Sequence, residues 1–280
     1  MNSMQLKDKL RNISKEKNVD INTLLRIYMY DRFIERLSSS KYSKNFVIKG
    51  GFYLSTLYGV ESRSTMDIDT MFRNANFDEK TLINMFNDIV KIDLNDNVIF
   101  EIIDVDTIRD EDEYGGFRFN FVVSMENIKE KFHIDVATGD PITPKAIVFK
   151  YIPLLGDRYI NVYAYNIETV LAEKLETILS RLELNGRMRD FYDIYLIYSK
   201  DSDKINKENL RAAIENTFKK REFKGDILES YKLIKESTIL RKRWSMYSNK
   251  YDYAKDIEYD KILECIEQLI NTCVVEFVTF

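Results

Sequence analysis

The sequence predicts an α+β fold: a mixed sheet with helices, followed by a helical C-terminal half. Three observations carry this. Between residues 46 and 165, short apolar runs follow one another, several with the two-residue alternation of strands. From Asn166 onward the spacing turns helical, and residues 166–280 hold few glycines and no proline. The whole chain has only three prolines, which favours long helices over open loops. A boundary near residue 165 divides a sheet-bearing domain, 1–165, from a helical domain, 166–280.

The elements are read in order. Residues 3–38 give two helices. Leu6, Leu10 and Ile13 mark the first; Asp20 caps the second, whose apolar positions run from Ile21 to Leu37. A strand at Phe46–Ile48, a helix at Phe52–Tyr58 and a strand at Met66–Phe72 follow. Asp78 caps a helix running to about Lys91. Val98–Val105 is apolar on both faces and predicts a central strand. Phe117–Met125 alternates, with Phe119, Phe121 and Val123 on one face and Arg118, Asn120 and Ser124 on the other. Phe132–Thr138 places His133 and Asp135 opposite Phe132, Ile134 and Val136. The prolines of 141–144 and 153 mark loops, and Tyr159–Tyr165 reads as a last strand. The sheet is expected to have about five strands.

Composition sets limits. Of the 280 residues, 45% are hydrophobic, enough for a full core. The net charge is −4, so no global positive field draws in nucleic acid, and any RNA contact must come from a local patch. Cys265 and Cys273 lack metal spacing and read as buried or free thiols in a reducing cytoplasm. No apolar run is long enough for a membrane span, and the first residues are too polar for a signal peptide. The single histidine, His133, excludes a His-rich zinc site.

Chemistry concentrates between Lys49 and Asp69. Gly50-Gly51 follow a short strand and open a helix, and free N–H groups at such a turn suit a phosphate. Asp67 and Asp69 flank Ile68, so on a strand both carboxylates share one face. Their repulsion is offset by a cation, and hard oxygen ligands suit Mg²⁺. The plain alternative is a tight turn before an acidic strand end.

A second cluster lies in the helical half. The stripe Val170, Leu171, Leu175, Ile178 and Leu179 is interrupted by Lys174. An inward lysine needs a partner or a role. It either snorkels to water or places a cation on a triphosphate. Arg187, Asp190 and Asp193 are spaced to share a helix face, which a surface ion pair would also explain.

These residues carry a resemblance. GG-x₁₁-RST-x-DID, then HIDVATGD, IETVLAEKLETILSR and NGRMRDFYDIYLI, are similar in order and spacing to the motifs of the AbiEii/AbiGii-type toxins of abortive-infection toxin–antitoxin systems. The similarity covers about residues 40–200. The resemblance implies a polymerase-β-like nucleotidyltransferase fold whose helical domain completes the active site. It implies Asp67, Asp69 and Asp135 as catalytic metal ligands for Mg²⁺ or Mn²⁺. It implies Lys174 and Asp190 as catalytic residues and an NTP as substrate. Lys49, Gly50, Gly51, Arg63, Ser64, Thr65, Lys174 and Asp193 would contact the nucleotide. It also implies an antitoxin encoded nearby, with no direct binding required, and an RNA acceptor, foremost the tRNA 3′ end.

For RNA the sequence offers Arg241-Lys242-Arg243-Trp244, followed by Tyr247, Lys250, Tyr251, Tyr253 and Lys255. Cations interleaved with aromatics hold phosphates and stack bases. Alternatively, Trp244 is a core residue and the charges a solvated face. Two competing functions stay open: transfer to a protein or small molecule, and a nucleotide-binding module without turnover.

Overall fold

The computed structural model describes residues 1–65, 67–108 and 115–274, with side chains to 272. The expected strand start at Met66 and the side chain of Cys273 lie outside the described residues. The chain divides into two units: Met1–Gly139 with Ala146–Tyr165, and Asp140–Lys145 with Asn166–Phe280.

Two helices open the first unit, α1 (Ser3–Lys17) and α2 (Ile21–Ser39). The Asp20 carboxylate accepts from the backbone N–H groups of Asn22 and Thr23, as the sequence predicts. Strand β1 (Phe46–Lys49) leads into α3 (Gly50–Tyr58), and β2 (Ile68–Phe72) into α4 (Glu79–Val90), capped by Asp78. Then come β3 (Ile99–Ile108), β4 (Gly116–Met125), β5 (Ile128–Ala137), β6 (Ile147–Tyr151) and β7 (Ile160–Ala164).

Among the described residues seven strands form one mixed sheet, ordered β3-β4-β5-β2-β1-β7-β6. Strands β2 and β5, and β1 and β7, are parallel; the other neighbours are antiparallel. The α+β expectation holds, with two corrections. Seven strands replace the expected five or so; β6, between the proline loops at 141–144 and 153, falls in a stretch with no strand expectation. Strand β3 is an edge strand rather than a central one, with Ile99 and Ile103 exposed. Its register shifts between Ile102 and Asp104. That shift breaks the alternation and makes the strand look apolar on both faces.

One face of the sheet is packed by aromatics. Phe33 of α2 and Phe86 of α4 meet Phe121, and Phe121 stacks on Phe132 with centroids 5.3 Å apart. Each such ring, fully buried, stabilises the fold by roughly 1.5–3 kcal/mol. Burying this face leaves the alternate residues of β2, β4 and β5 on the other side, where the polar groups stand.

The second unit is helical: α5 (Ile167–Arg181), α6 (Met188–Asp201), α7 (Lys207–Lys220), α8 (Ile227–Glu236), α9 (Thr238–Lys250) and α10 (Tyr259–Val274). Arg221 ties it together by pairing with Asp140, Glu173 and Glu176. Among the described residues no helix is long and apolar enough to cross a membrane.

Candidate active site

The polar face of the sheet is built by register. Lys49 of β1 stands opposite Asp69 of β2, and Asp69 opposite Asp135 of β5. Asp135 in turn stands opposite Arg118 of β4. Residues directly opposed on neighbouring strands share a face, so these four form one row across the sheet. Asp67 precedes β2, and its Oδ2 lies 3.8 Å from His133 Nε2. That nitrogen is buried without a hydrogen bond.

The glycine pair meets this row. Gly50 has φ +64°, a left-handed conformation that favours glycine. A Cβ there would lie 2.0 Å from Asp69 Oδ2, so the carboxylate closes over the bare backbone. A Cβ on Gly51 would stand 2.9 Å from Thr65 Oγ1 and 3.0 Å from an Arg63 guanidinium nitrogen. Lys49, the residue before α3, makes no side-chain cap hydrogen bond to the helix. The Lys49 ammonium lies over the Tyr165 ring, 5.3 Å from its centroid.

Arg63 and Thr65 are buried, and Ser64 is half-buried. The Arg63 guanidinium donates to the Ser64 carbonyl. Thr65 Oγ1 is 3.1 Å from both the Asp67 carbonyl and Asp67 Oδ1. The Arg-Ser-Thr segment thus shapes the approach to Asp67 from within the fold.

Asp135 is held tightly. Arg118 donates from Nε to Asp135 Oδ1 at 2.8 Å and from Nη2 to Oδ2 at 2.7 Å. This hydrogen-bonded pairing raises the guanidinium pKa, and Asp67 and Asp69 add to the effect. Among the described residues, no three His, Cys, Asp or Glu side chains converge as a metal site. The donor chemistry nevertheless fits a hard divalent cation: carboxylates in one row beside a glycine cradle that any Cβ would fill.

The second unit holds its own cluster. Lys174 on α5 is 2.7 Å from Asp190 Oδ1 and 2.8 Å from Asp193 Oδ2, both acids on α6. Asp193 is fully buried, and Asp190 Oδ2 is buried with no hydrogen-bond partner. Burial alone would lower the Lys174 pKa, but the two carboxylates outweigh it and the net shift is upward. Lys174 is therefore an ion-paired cation rather than a snorkelling one. Asp193, enclosed and paired, is poorly placed for the direct nucleotide contact that the resemblance implies.

The C-terminal basic stretch is corrected most. Trp244 is a core residue, 3% exposed, and its indole N–H donates to the Ile257 carbonyl. Burial of its ring rules out the stacking role. Arg243 donates to the carbonyls of Glu183 and Asn185, and Arg241 forms a bidentate pair with Asp260. Lys242 is exposed.

Sequence reasoning missed Arg118 and His133 as members of the site. The alternation of β4 and β5 put both on the polar face, but the strand order that sets them beside Asp67 and Asp69 is not written in any local motif.

No curated protein matches the chain. Two solved Helicobacter pylori structures align with the chain: a provisionally assigned nucleotidyltransferase (14% identity, TM-score 0.49) and JHP933 (13%, 0.48). Each alignment covers 90% of this chain, and 95% and 92% of the respective partner. A family model described as nucleotidyl transferase AbiEii toxin, type IV TA system, matches residues 32–265, which include both clusters, and the chain belongs to that family.

Proposed function

We propose that this nucleotidyltransferase-family protein is a divalent-cation-dependent enzyme that moves a nucleotide from an NTP to RNA, foremost the 3′ end of tRNA. The observation that carries the catalytic part is the row Asp69–Asp135 with Asp67 beside it, set against the Gly50 backbone. Asp67, Asp69 and Asp135 would hold Mg²⁺ or Mn²⁺, which supplies charge neutralisation on the triphosphate. Gly50 and Gly51 let the phosphates approach the N–H groups that open α3. Lys49, next to that turn, adds a positive charge, and Ser64 a hydroxyl. Arg63 and Thr65 fix the loop, Thr65 by its hydrogen bonds to Asp67.

The acceptor hydroxyl attacks the α-phosphorus, the bond to the β-phosphate oxygen breaks, and pyrophosphate leaves. Asp135 takes the hydroxyl proton once Arg118 releases it. In the second unit, Lys174 pairs with both Asp190 and Asp193 and so holds the Asp190 carboxylate in place for its role in the reaction.

The RNA acceptor rests on the toxin family. Within the C-terminal stretch we move the stacking role from Trp244 to Tyr251 and Tyr253, whose half-buried rings stack at 5.3 Å beside Lys250. Lys242 remains a phosphate contact in this reading. The cellular setting is a cytoplasmic toxin that aborts phage infection, controlled by an antitoxin encoded nearby that need not bind it. The test is incubation with each labelled NTP, Mg²⁺ and purified tRNA, total protein or small-molecule extract. Label in RNA supports the proposal. Label only in protein or small molecules overturns the acceptor and keeps the transferase.

A further inference from the structure

Arg118 has a place in the sheet that the reaction alone does not explain. β4 lies between β3 and β5, and Arg118 stands in register with Asp106 on one side and Asp135 on the other. It is therefore flanked by two carboxylates on one face. Its fork fills both oxygens of Asp135. Asp106, on the exposed edge strand, accepts from Asn120 Nδ2 at 2.8 Å, and the same amide also donates to Asp104.

A guanidinium bound to both oxygens of Asp135 competes with any other cation for that carboxylate. A divalent cation at Asp67 and Asp69 would repel the guanidinium across the neighbouring strand. Asp106 then offers the displaced charge a second carboxylate in the same row. Side-chain rotation suffices, and no strand need move.

We propose that Arg118 is a switchable counter-ion: it holds Asp135 while no divalent cation is bound and passes to Asp106 when one takes its place. This rests on the reading of Asp67, Asp69 and Asp135 as cation ligands. It makes Arg118 a positioning residue that sets how readily the site accepts metal. Changes at the two ends of the switch should act in opposite directions. Arg118→Met removes the competitor and tightens metal binding. Asp106→Asn removes the alternative partner and weakens it. Arg118→Lys keeps a charge without the fork and falls between wild type and Arg118→Met.

The experiment is a calorimetric titration of the full chain with Mn²⁺, without nucleotide, each variant first checked by thermal melting. Half-saturating Mn²⁺ should fall about two- to fivefold in Arg118→Met and rise about twofold in Asp106→Asn, as for a partly exposed ion pair. In the double variant, Asp106→Asn should have no further effect, because it acts through Arg118. An Asp106 effect that persists without Arg118 is long-range electrostatics and overturns the switch. So does Mn²⁺ binding that is unchanged or weaker in Arg118→Met. If Arg118→Met does not fold, Arg118→Lys must still tighten binding, and failure to do so overturns the switch. A variant with both Asp67→Asn and Asp69→Asn separates the two readings. Wild-type binding no better than this control removes the cation site and the switch together. Wild-type binding above it, with no shift in the Arg118 variants, removes the switch alone.

Discussion

Asp69 closes over Gly50 so tightly that a methyl group at Gly50 would sit 2.0 Å from Asp69 Oδ2. The sequence places a glycine beside an acid for a physical reason: the carboxylate occupies the space that a side chain would need. Gly50→Ala has two effects. The left-handed φ of +64° costs an alanine about 1–2 kcal/mol, and the methyl displaces the Asp69 carboxylate. The expected outcome is a lower melting temperature and loss of turnover. Gly51 lies outside the left-handed region, so Gly51→Ala should melt closer to wild type while losing turnover through displaced Thr65 and Arg63. Thermal melts paired with an incorporation assay check both variants.

Lys174 pairs with the buried Asp193 carboxylate at 2.8 Å. Lys174→Met would remove the buried cation that both Asp190 and Asp193 pair with, at a cost of about 3–5 kcal/mol. Replacing Asp193 with Asn in the same chain should recover much of the loss, because one buried charge disappears. Urea denaturation of the single and double variants reads this directly. Equal stability of wild type and Lys174→Met would contradict the pairing. The raised Lys174 pKa adds nothing to pH dependence near neutrality. Its stabilisation is fully present below the unfolded lysine value and is lost only as pH rises through the folded one.

Asp31 is fully buried, accepts from the Leu154 N–H at 2.6 Å and takes a hydrogen bond from the Tyr151 hydroxyl. Burial pushes its pKa well above the ordinary carboxylate value. A raised folded pKa means that its contribution is full below the unfolded value and is lost as pH rises toward the folded one. Asp31→Asn keeps the shape without the charge. Its stability relative to wild type should therefore grow by up to about 1.4 kcal/mol per pH unit across that window. Denaturation at pH 4 and pH 7 tests the sign; a difference that does not change with pH would exclude a shifted Asp31.

Much of this was legible in the sequence. Asp20 and Asp78 announce their helices because a cap is a local hydrogen bond. The alternation of Phe119, Phe121 and Val123 gives the buried face of β4, and Lys174 stands out because it interrupts an apolar stripe. What was not legible depends on distant pairing. The edge position of β3, the existence of β6 and the row linking Arg118 to Asp69 are set by strand order, which no local pattern encodes. Trp244 misled because a tryptophan among cations looks the same in sequence whether its ring is in the core or on the surface.

The central claim is that Asp67 and Asp69 carry nucleotidyl transfer. The most direct measurement is incorporation of labelled NTP into purified tRNA, with and without Mg²⁺, by wild type and by the variant with both aspartates changed to Asn. Removing like charges that repel in the absence of metal should leave that variant folded, and even more stable without metal. The account predicts Mg²⁺-dependent labelling by wild type and a loss of at least about a hundredfold in the variant, the scale of a lost electrostatic catalytic element. Labelling at the wild-type rate by the folded double variant would contradict it.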